Sequence, residues 1–263
     1  MPLIQLNDLN FYYEVEGEGF PLVLIAGLSC DISNWVFTKP LLVKNFQVIT
    51  IDNRGVGRTQ IPSDPYTIAQ MGEDVIALLD YLHISKAHFL GHSMGGAIAQ
   101  TIALQAPHYI ERLIISNSFA KIAPRSLFWM EHCAALYDAK KTPEETMPVV
   151  APWVFSDNFF RDPLRMEQAI ALRKNYPYPQ SAHGFAQQVA ALAAFDSRAW
   201  VHKLSLPTCI LAGKEDILTP LEGSLYLHEQ IKNSQLMIQE GAHVPVLEMP
   251  DRYVDVVEQF LNE

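Results

Sequence analysis

The sequence predicts an α/β protein: a mostly parallel central sheet flanked by helices, with a helical segment inserted into it. Three observations carry that expectation. Short apolar runs without polar alternation recur between helical patterns, as strands covered on both faces of a parallel sheet do. One run, Ala87 to Leu90, passes through Gly91-His92-Ser93-Met94-Gly95 straight into the helix-like stretch Ala97 to Leu104. The strand–helix rhythm then stops after Asn117 and resumes after Trp200.

Taken in order, Leu3 to Leu6 and Asn10 to Tyr13 flank Asn7-Asp8-Leu9 as a hairpin. Glu16-Gly17-Glu18-Gly19 reads as a loop. Pro21 to Ala26, Phe46 to Asp52, Ala87 to Leu90 and Arg112 to Ser116 are four buried strands. Between them, Met71 to Leu82 puts Val75, Leu78, Leu79 and Leu82 on one helical face. From about Phe119 to Trp200 no strand pattern occurs. Helical stretches there are broken by Pro124, Pro143, Pro148, Pro152, Pro163, Pro177 and Pro179. Aromatic and methionine side chains crowd the same region, among them Phe128, Trp129, Met130, Trp153, Phe155, Phe159, Phe160 and Met166. They suit both an ordinary helical core and the lining of an apolar pocket. Pro207 to Ala212 and Gln235 to Ile238 then read as strands, and Leu221 to Ile231 and Asp251 to Leu261 as helices.

Composition narrows the function. A formal net charge of -10 argues against a nucleic-acid or anionic-membrane binder, which needs a basic face. Cys30, Cys133 and Cys209 lie far apart with no C-x-x-C spacing, which fits a reducing compartment and neither a disulfide framework nor a zinc site. No basic-then-apolar leader opens the sequence, and no apolar run reaches the ~20 residues that span a bilayer. The expectation is a cytoplasmic protein, monomer or homodimer, without a cofactor or metal.

Ser93 is the candidate nucleophile. A serine on a tight strand-to-helix turn is pushed out above the sheet edge, and glycines two positions to either side keep strand and helix from colliding. The helix that starts beside it aims free N–H groups at any oxyanion formed there. Serine needs a base, held in the right tautomer by a carboxylate. Reacting groups in open α/β sheets gather at the carboxyl ends of strands. Asp216 follows the strand 207–212 within Gly213-Lys214-Glu215-Asp216-Ile217-Leu218-Thr219-Pro220, with Glu215 as its neighbouring alternative. His243 follows the strand 235–238 on a loop opened by Gly241-Ala242. His228 falls in a helix pattern, and His92 points away from its neighbour Ser93. The segment Ser116-Asn117-Ser118 offers no rival acid. The backbone N–H groups of Met94 and of Leu28, in the Ala26-Gly27-Leu28-Ser29 turn, are the candidate oxyanion donors. Ser29 and Cys30 lie near that turn. Arg125, Arg161, Arg165 and Arg173 read as solvated helix faces.

These motifs resemble the α/β-hydrolase family. Gly91-His92-Ser93-Met94-Gly95-Gly96 is similar to its elbow, and Asp52-Asn53-Arg54-Gly55-Val56-Gly57-Arg58-Thr59 to its D-x-R-G-x-G-x-S/T turn. Gly213 to Pro220 and Gly241-Ala242-His243 resemble its acid and base segments. Within the family the chain looks most like small capped esterases and lactonases, such as the 3-oxoadipate enol-lactonase and pimeloyl-ester carboxylesterase types. The resemblance implies a hydrolase core over 1–118 and 201–263, a helical cap over 119–200, and Trp35 packed behind the oxyanion loop. It also implies a small-molecule ester or lactone as substrate. Ala26-Gly27 stands where many relatives carry His-Gly. Acyl transfer, perhydrolysis or carbon–carbon bond hydrolysis on the same residues are alternatives, as is a non-catalytic binding protein on this fold.

Overall fold

The computed structural model describes residues 3–7 and 9–263; Asp8, in the expected hairpin turn, lies outside the described residues. Eight strands form one sheet: β1 (Leu3–Leu6), β2 (Leu9–Glu16), β3 (Phe20–Ile25), β4 (Phe46–Ile51), β5 (Ala87–His92), β6 (Ile110–Ser116), β7 (Thr208–Gly213) and β8 (Ser234–Gln239). Their spatial order is β1-β2-β4-β3-β5-β6-β7-β8. Only β1 with β2, and β2 with β4, pair antiparallel. The other pairs are parallel. The second strand runs past Tyr13 because Tyr13 to Glu16 pair with β4 after β1 has ended.

The unalternating apolar runs have a simple cause. In β3, Val23 and Ile25 enter one core with Phe89, Ile115 and Ile210, while Leu22 and Leu24 enter a second core with Leu90, Ile114 and Leu211. Successive side chains point to opposite faces of a strand, so a sheet buried on both sides must be apolar at every position. The helices that supply the cover follow the strands. They are α1 (Lys39–Leu42), α2 (Ile68–Tyr81) and α3 (Met94–Gln105). After the sixth strand come α4 (Pro124–Asp138), α5 (Pro143–Val154), α6 (Asp157–Phe160), α7 (Pro163–Lys174) and α8 (Ala182–Ala194), with no strand among them. The chain then closes with α9 (Leu221–Gln230), α10 (Pro245–Glu248) and α11 (Pro250–Leu261). Helix α2 opens on a full capping box, Thr67 with Gln70. Helix α11 buries Tyr253, Val254, Val257, Phe260 and Leu261, a helical stripe that completes the second core.

Prolines behave in two ways. Pro124, Pro143 and Pro163 sit at the first position of α4, α5 and α7, where the missing N–H has no partner to lose. Pro148 and Pro152, expected to break the helix, instead lie inside α5. That helix survives because the Thr142–Glu145 capping box anchors its start and Met147 and Ala151 are buried.

The turn after β4 is built around charge. Asp52 accepts the backbone N–H of Ile32 (2.9 Å) and of Arg58 (2.8 Å). Arg54 makes a two-pronged pair with Asp74 of α2, at 2.6 and 2.7 Å, both side chains being buried. Losing one partner of such a pair strands a buried charge. Asp74→Ala is therefore expected to lower stability by about 3–5 kcal/mol. Urea unfolding of the variant beside wild type reads this directly; an unchanged midpoint contradicts it.

Candidate active site

The site assembles at the carboxyl ends of β3, β5, β6, β7 and β8. Ser93 follows β5 at φ 54° and ψ -118°, a backbone conformation that L side chains rarely adopt. Its N–H donates to the Ser116 carbonyl (2.9 Å), while its own carbonyl accepts from Gly96 N–H (2.9 Å) and Ser118 Oγ (2.8 Å). The flanking glycines are required by contact. A Cβ at Gly91 would fall on the Gly95 carbonyl, one at Gly95 on the Ile25 carbonyl, and one at Gly96 on the Ser118 side chain. Gly27 also packs against Ser93, its missing Cβ falling 3.0 Å from the Ser93 Cβ.

Across the crevice, His243 Nδ1 lies 2.9 Å from Asp216 Oδ2, and both side chains are buried. The same carboxylate accepts the N–H groups of Leu218 (3.0 Å) and Thr219 (2.8 Å), Thr219 Oγ1 (2.6 Å) and Asn117 Nδ2 (3.0 Å). Burial alone raises the Asp216 carboxyl, but the charge on His243 and the bonds from His243, Thr219 and Asn117 outweigh it and hold it below the usual carboxylate range. A carboxylate only accepts hydrogen bonds, so the Nδ1 that faces Asp216 is a nitrogen that carries a proton. Glu215 is turned elsewhere: its Oε2 accepts the Asp157 N–H at the start of α6 (3.0 Å).

Ser93, His243, Gly27 and Leu28 line one cavity of about 470 Å³. That volume falls in the range of about 300–1,000 Å³ usual for small-molecule sites. No hydrogen bond joins Ser93 Oγ to His243. Met94 opens α3, where a helix leaves its first N–H groups unpaired. Leu28 N–H likewise has no partner among the described residues. The Ala26-Gly27-Leu28-Ser29 turn is braced by Asn53 Nδ2 on the Ala26 carbonyl (3.0 Å) and by Gln188 Oε1 on the Ser29 N–H (3.0 Å). Trp35 packs fully buried, its ring centroid 6.5 Å from that of His92.

The helices α4 to α8 supply the opposite wall. Of the aromatic and methionine side chains singled out above, Trp129, Met130 and Phe155 reach the cavity, joined by Tyr137, Met147 and Phe185. Phe128 and Phe160 face solvent instead. Among the four arginines, Arg173 lines the cavity, while Arg125 donates to the Ile217 carbonyl (3.1 Å). Cys30 also lines it. Burial pushes its thiol up to about 11, with Arg173 pulling the other way, so it is a neutral thiol near pH 7. Among the described residues no group of three or more His, Cys, Asp or Glu could hold a metal ion, and no helix is long and apolar enough to cross a membrane.

Three contributors escaped the sequence reading. Asn117 donates to both Asp216 and the Ala242 carbonyl (3.1 Å), bracing the loops that carry Asp216 and His243. Its position at the end of a central parallel strand was the available signal. His92 is fully buried, with Nε2 2.8 Å from the His243 carbonyl oxygen. Glu248 of α10 accepts Ser156 Oγ (2.6 Å), tying the insertion to the base loop, as does His243 N–H on the Val154 carbonyl (3.0 Å).

A family model for the α/β hydrolase fold matches residues 21–250. The chain belongs to the α/β hydrolase-fold family, and that membership with its relatives supports a hydrolase activity. It is 32% identical to 3-oxoadipate enol-lactonase 2 of Acinetobacter baylyi, covering 100% of this chain and 99% of that one. It is 31% identical to a protein of Agrobacterium fabrum named for carbamate hydrolysis, RutD, over 95% of this chain and 97% of the relative. Among solved structures, the enol-lactonase from Burkholderia xenovorans LB400 superposes with a TM-score of 0.89 at 26% identity, covering 100% of both chains.

Burial also sets a pH dependence. It drives His92 down to about 3, aided by the charge on His243, and His88 down to about 4. Between those values and the unfolded value near 6.5, the unfolded chain binds protons that the native one refuses. Stability is therefore complete above about pH 6.5 and falls as pH drops, by up to about 1.4 kcal/mol per unit for each histidine. Urea midpoints at pH 7.5, 6 and 5 should decline in that order, with His88→Gln and His92→Gln each flattening the trend. A level profile in wild type contradicts this.

Proposed function

We propose that the protein is a cofactor-free serine hydrolase that cleaves a small or medium carboxylic ester or lactone through an acyl-enzyme. The observation that carries this reading is one cavity walled by both Ser93 and His243, with His243 Nδ1 held 2.9 Å from the buried Asp216. The relatives named as enol-lactonases support the ester or lactone class.

In this mechanism Ser93 Oγ attacks the carbonyl carbon while His243 Nε2 takes its proton. Negative charge moves to the carbonyl oxygen, where the Leu28 and Met94 N–H groups receive it; losing one such donor typically costs about 10²–10³ in rate. His243, now a cation beside Asp216, protonates the leaving oxygen as the carbon–oxygen bond breaks. For a lactone that oxygen stays tethered to the acyl group. Water, deprotonated by His243, then attacks the acyl-serine and releases the acid. The helical segment 119–200 acts as a cap that excludes bulk water and gives the cavity its apolar wall.

The test is hydrolysis of p-nitrophenyl esters of graded acyl length. Ser93→Ala should lose several orders of magnitude. Asp216→Asn should lose about 10⁴, because an amide facing Nδ1 forces the wrong tautomer on His243. Glu215→Gln should cost less than Asp216→Asn. Near wild-type turnover by Ser93→Ala sinks the mechanism, and the reverse ranking of the two acids reassigns the orienting carboxylate.

A further inference from the structure

Four apolar side chains of the cavity wall are left open to solvent: Leu172 is 67% exposed, Val36 52%, Phe37 50% and Tyr178 41%. A residue that both lines a cavity and stays this exposed stands where the cavity meets bulk water. These four come from two opposed parts of the chain. Val36 and Phe37 directly follow Trp35, beyond the oxyanion turn, whereas Leu172 lies in the last turn of α7 and Tyr178 in the loop after it. The two sides are pinned to each other. Between Leu172 and Tyr178 in the chain, Tyr176 Oη bonds the carboxylate of Asp31, which precedes Val36 and Phe37.

On the reading that the cavity hydrolyses an ester or lactone, we infer that this mouth is a subsite for an unbranched apolar chain of the substrate, running outward from the carbonyl at Ser93. Its lining is continuous with the reaction cavity, so the occupant is part of the same molecule. Covering apolar surface on both jaws rewards each added methylene. An anionic tail is the weaker fit. Arg173 lines the same cavity, but it is exposed and shares that wall with Asp31, of opposite charge. Asp31 is buried, so its charge opposes an anion on that wall, while an exposed arginine adds little binding to one.

The experiment is a p-nitrophenyl ester series from acetate to decanoate, alongside esters of the same lengths ending in a carboxylate. Wild type is compared with Phe37→Gln, Leu172→Gln, Arg173→Gln and Leu225→Gln; Leu225 is exposed but lies outside the cavity wall. The alkyl series should gain about two- to four-fold in kcat/KM per methylene beyond hexanoate. Phe37→Gln and Leu172→Gln should each flatten that slope through a rise in KM, as loss of uniform binding does, and Leu225→Gln should leave it intact. The inference is overturned if wild-type rates peak at butyrate or shorter, or if the two rim variants lose the same factor at every length. A preference for the carboxylate-ended esters that vanishes in Arg173→Gln overturns it too, in favour of an anion subsite. Those outcomes leave the hydrolase reading standing; absence of Ser93-dependent turnover at every length brings down both.

Discussion

Between β5 and α3 the backbone passes through Ser93 at a positive φ, a conformation that costs on the order of 1–3 kcal/mol for a side chain other than glycine. Everything around that residue is arranged to hold it. The Ser116 carbonyl takes its N–H, Ser118 Oγ grips its carbonyl, and three glycines leave room for strand, helix and neighbouring loop to approach closely. The same close approach brings Gly27, and with it the Ala26-Gly27-Leu28-Ser29 turn, against the serine. The strain is thus offset by contacts spread over β3, β5, β6 and α3.

The Asp216–His243 half of the site follows a different principle. Asp216 is buried and stays ionised because five donors converge on it, from Leu218, Thr219, Asn117 and His243. Two of those partners, Asn117 and His243, come from other strand ends, so the carboxylate is also a knot joining β6, β7 and β8. Desolvation that would neutralise an isolated acid is here turned into positional order.

The helical insertion and the sheet are coupled through the site. Gln188 of α8 braces the Ser29 N–H, Val154 accepts from His243 N–H, and Glu248 and Glu215 receive the start of α6. The insertion therefore shapes both the pocket and the loops that carry its polar groups. Gln188 of the insertion and Asn53 of the turn after β4 together support the Ala26-Gly27-Leu28-Ser29 turn.

Much of this was legible in one dimension. Apolar runs without alternation identified the parallel strands, because a strand buried on both faces must be apolar throughout. The Gly91-His92-Ser93-Met94-Gly95 turn was readable because its steric demands act between residues close in sequence. Asp216 and His243 were readable as residues at strand ends. Pro148 and Pro152 were misread as breaks, since the capping and burial that keep α5 intact outweigh local propensity. What the sequence by itself determined was the order of elements and the residue types at each strand end. Only the tertiary structure decided that Asp216 rather than Glu215 meets His243, that Asn117 and His92 brace the loop carrying His243, and which side chains of the helical insertion face the cavity. Those outcomes depend on distances between segments up to 151 residues apart, as from His92 to His243, and such distances exist only once the sheet has closed around them.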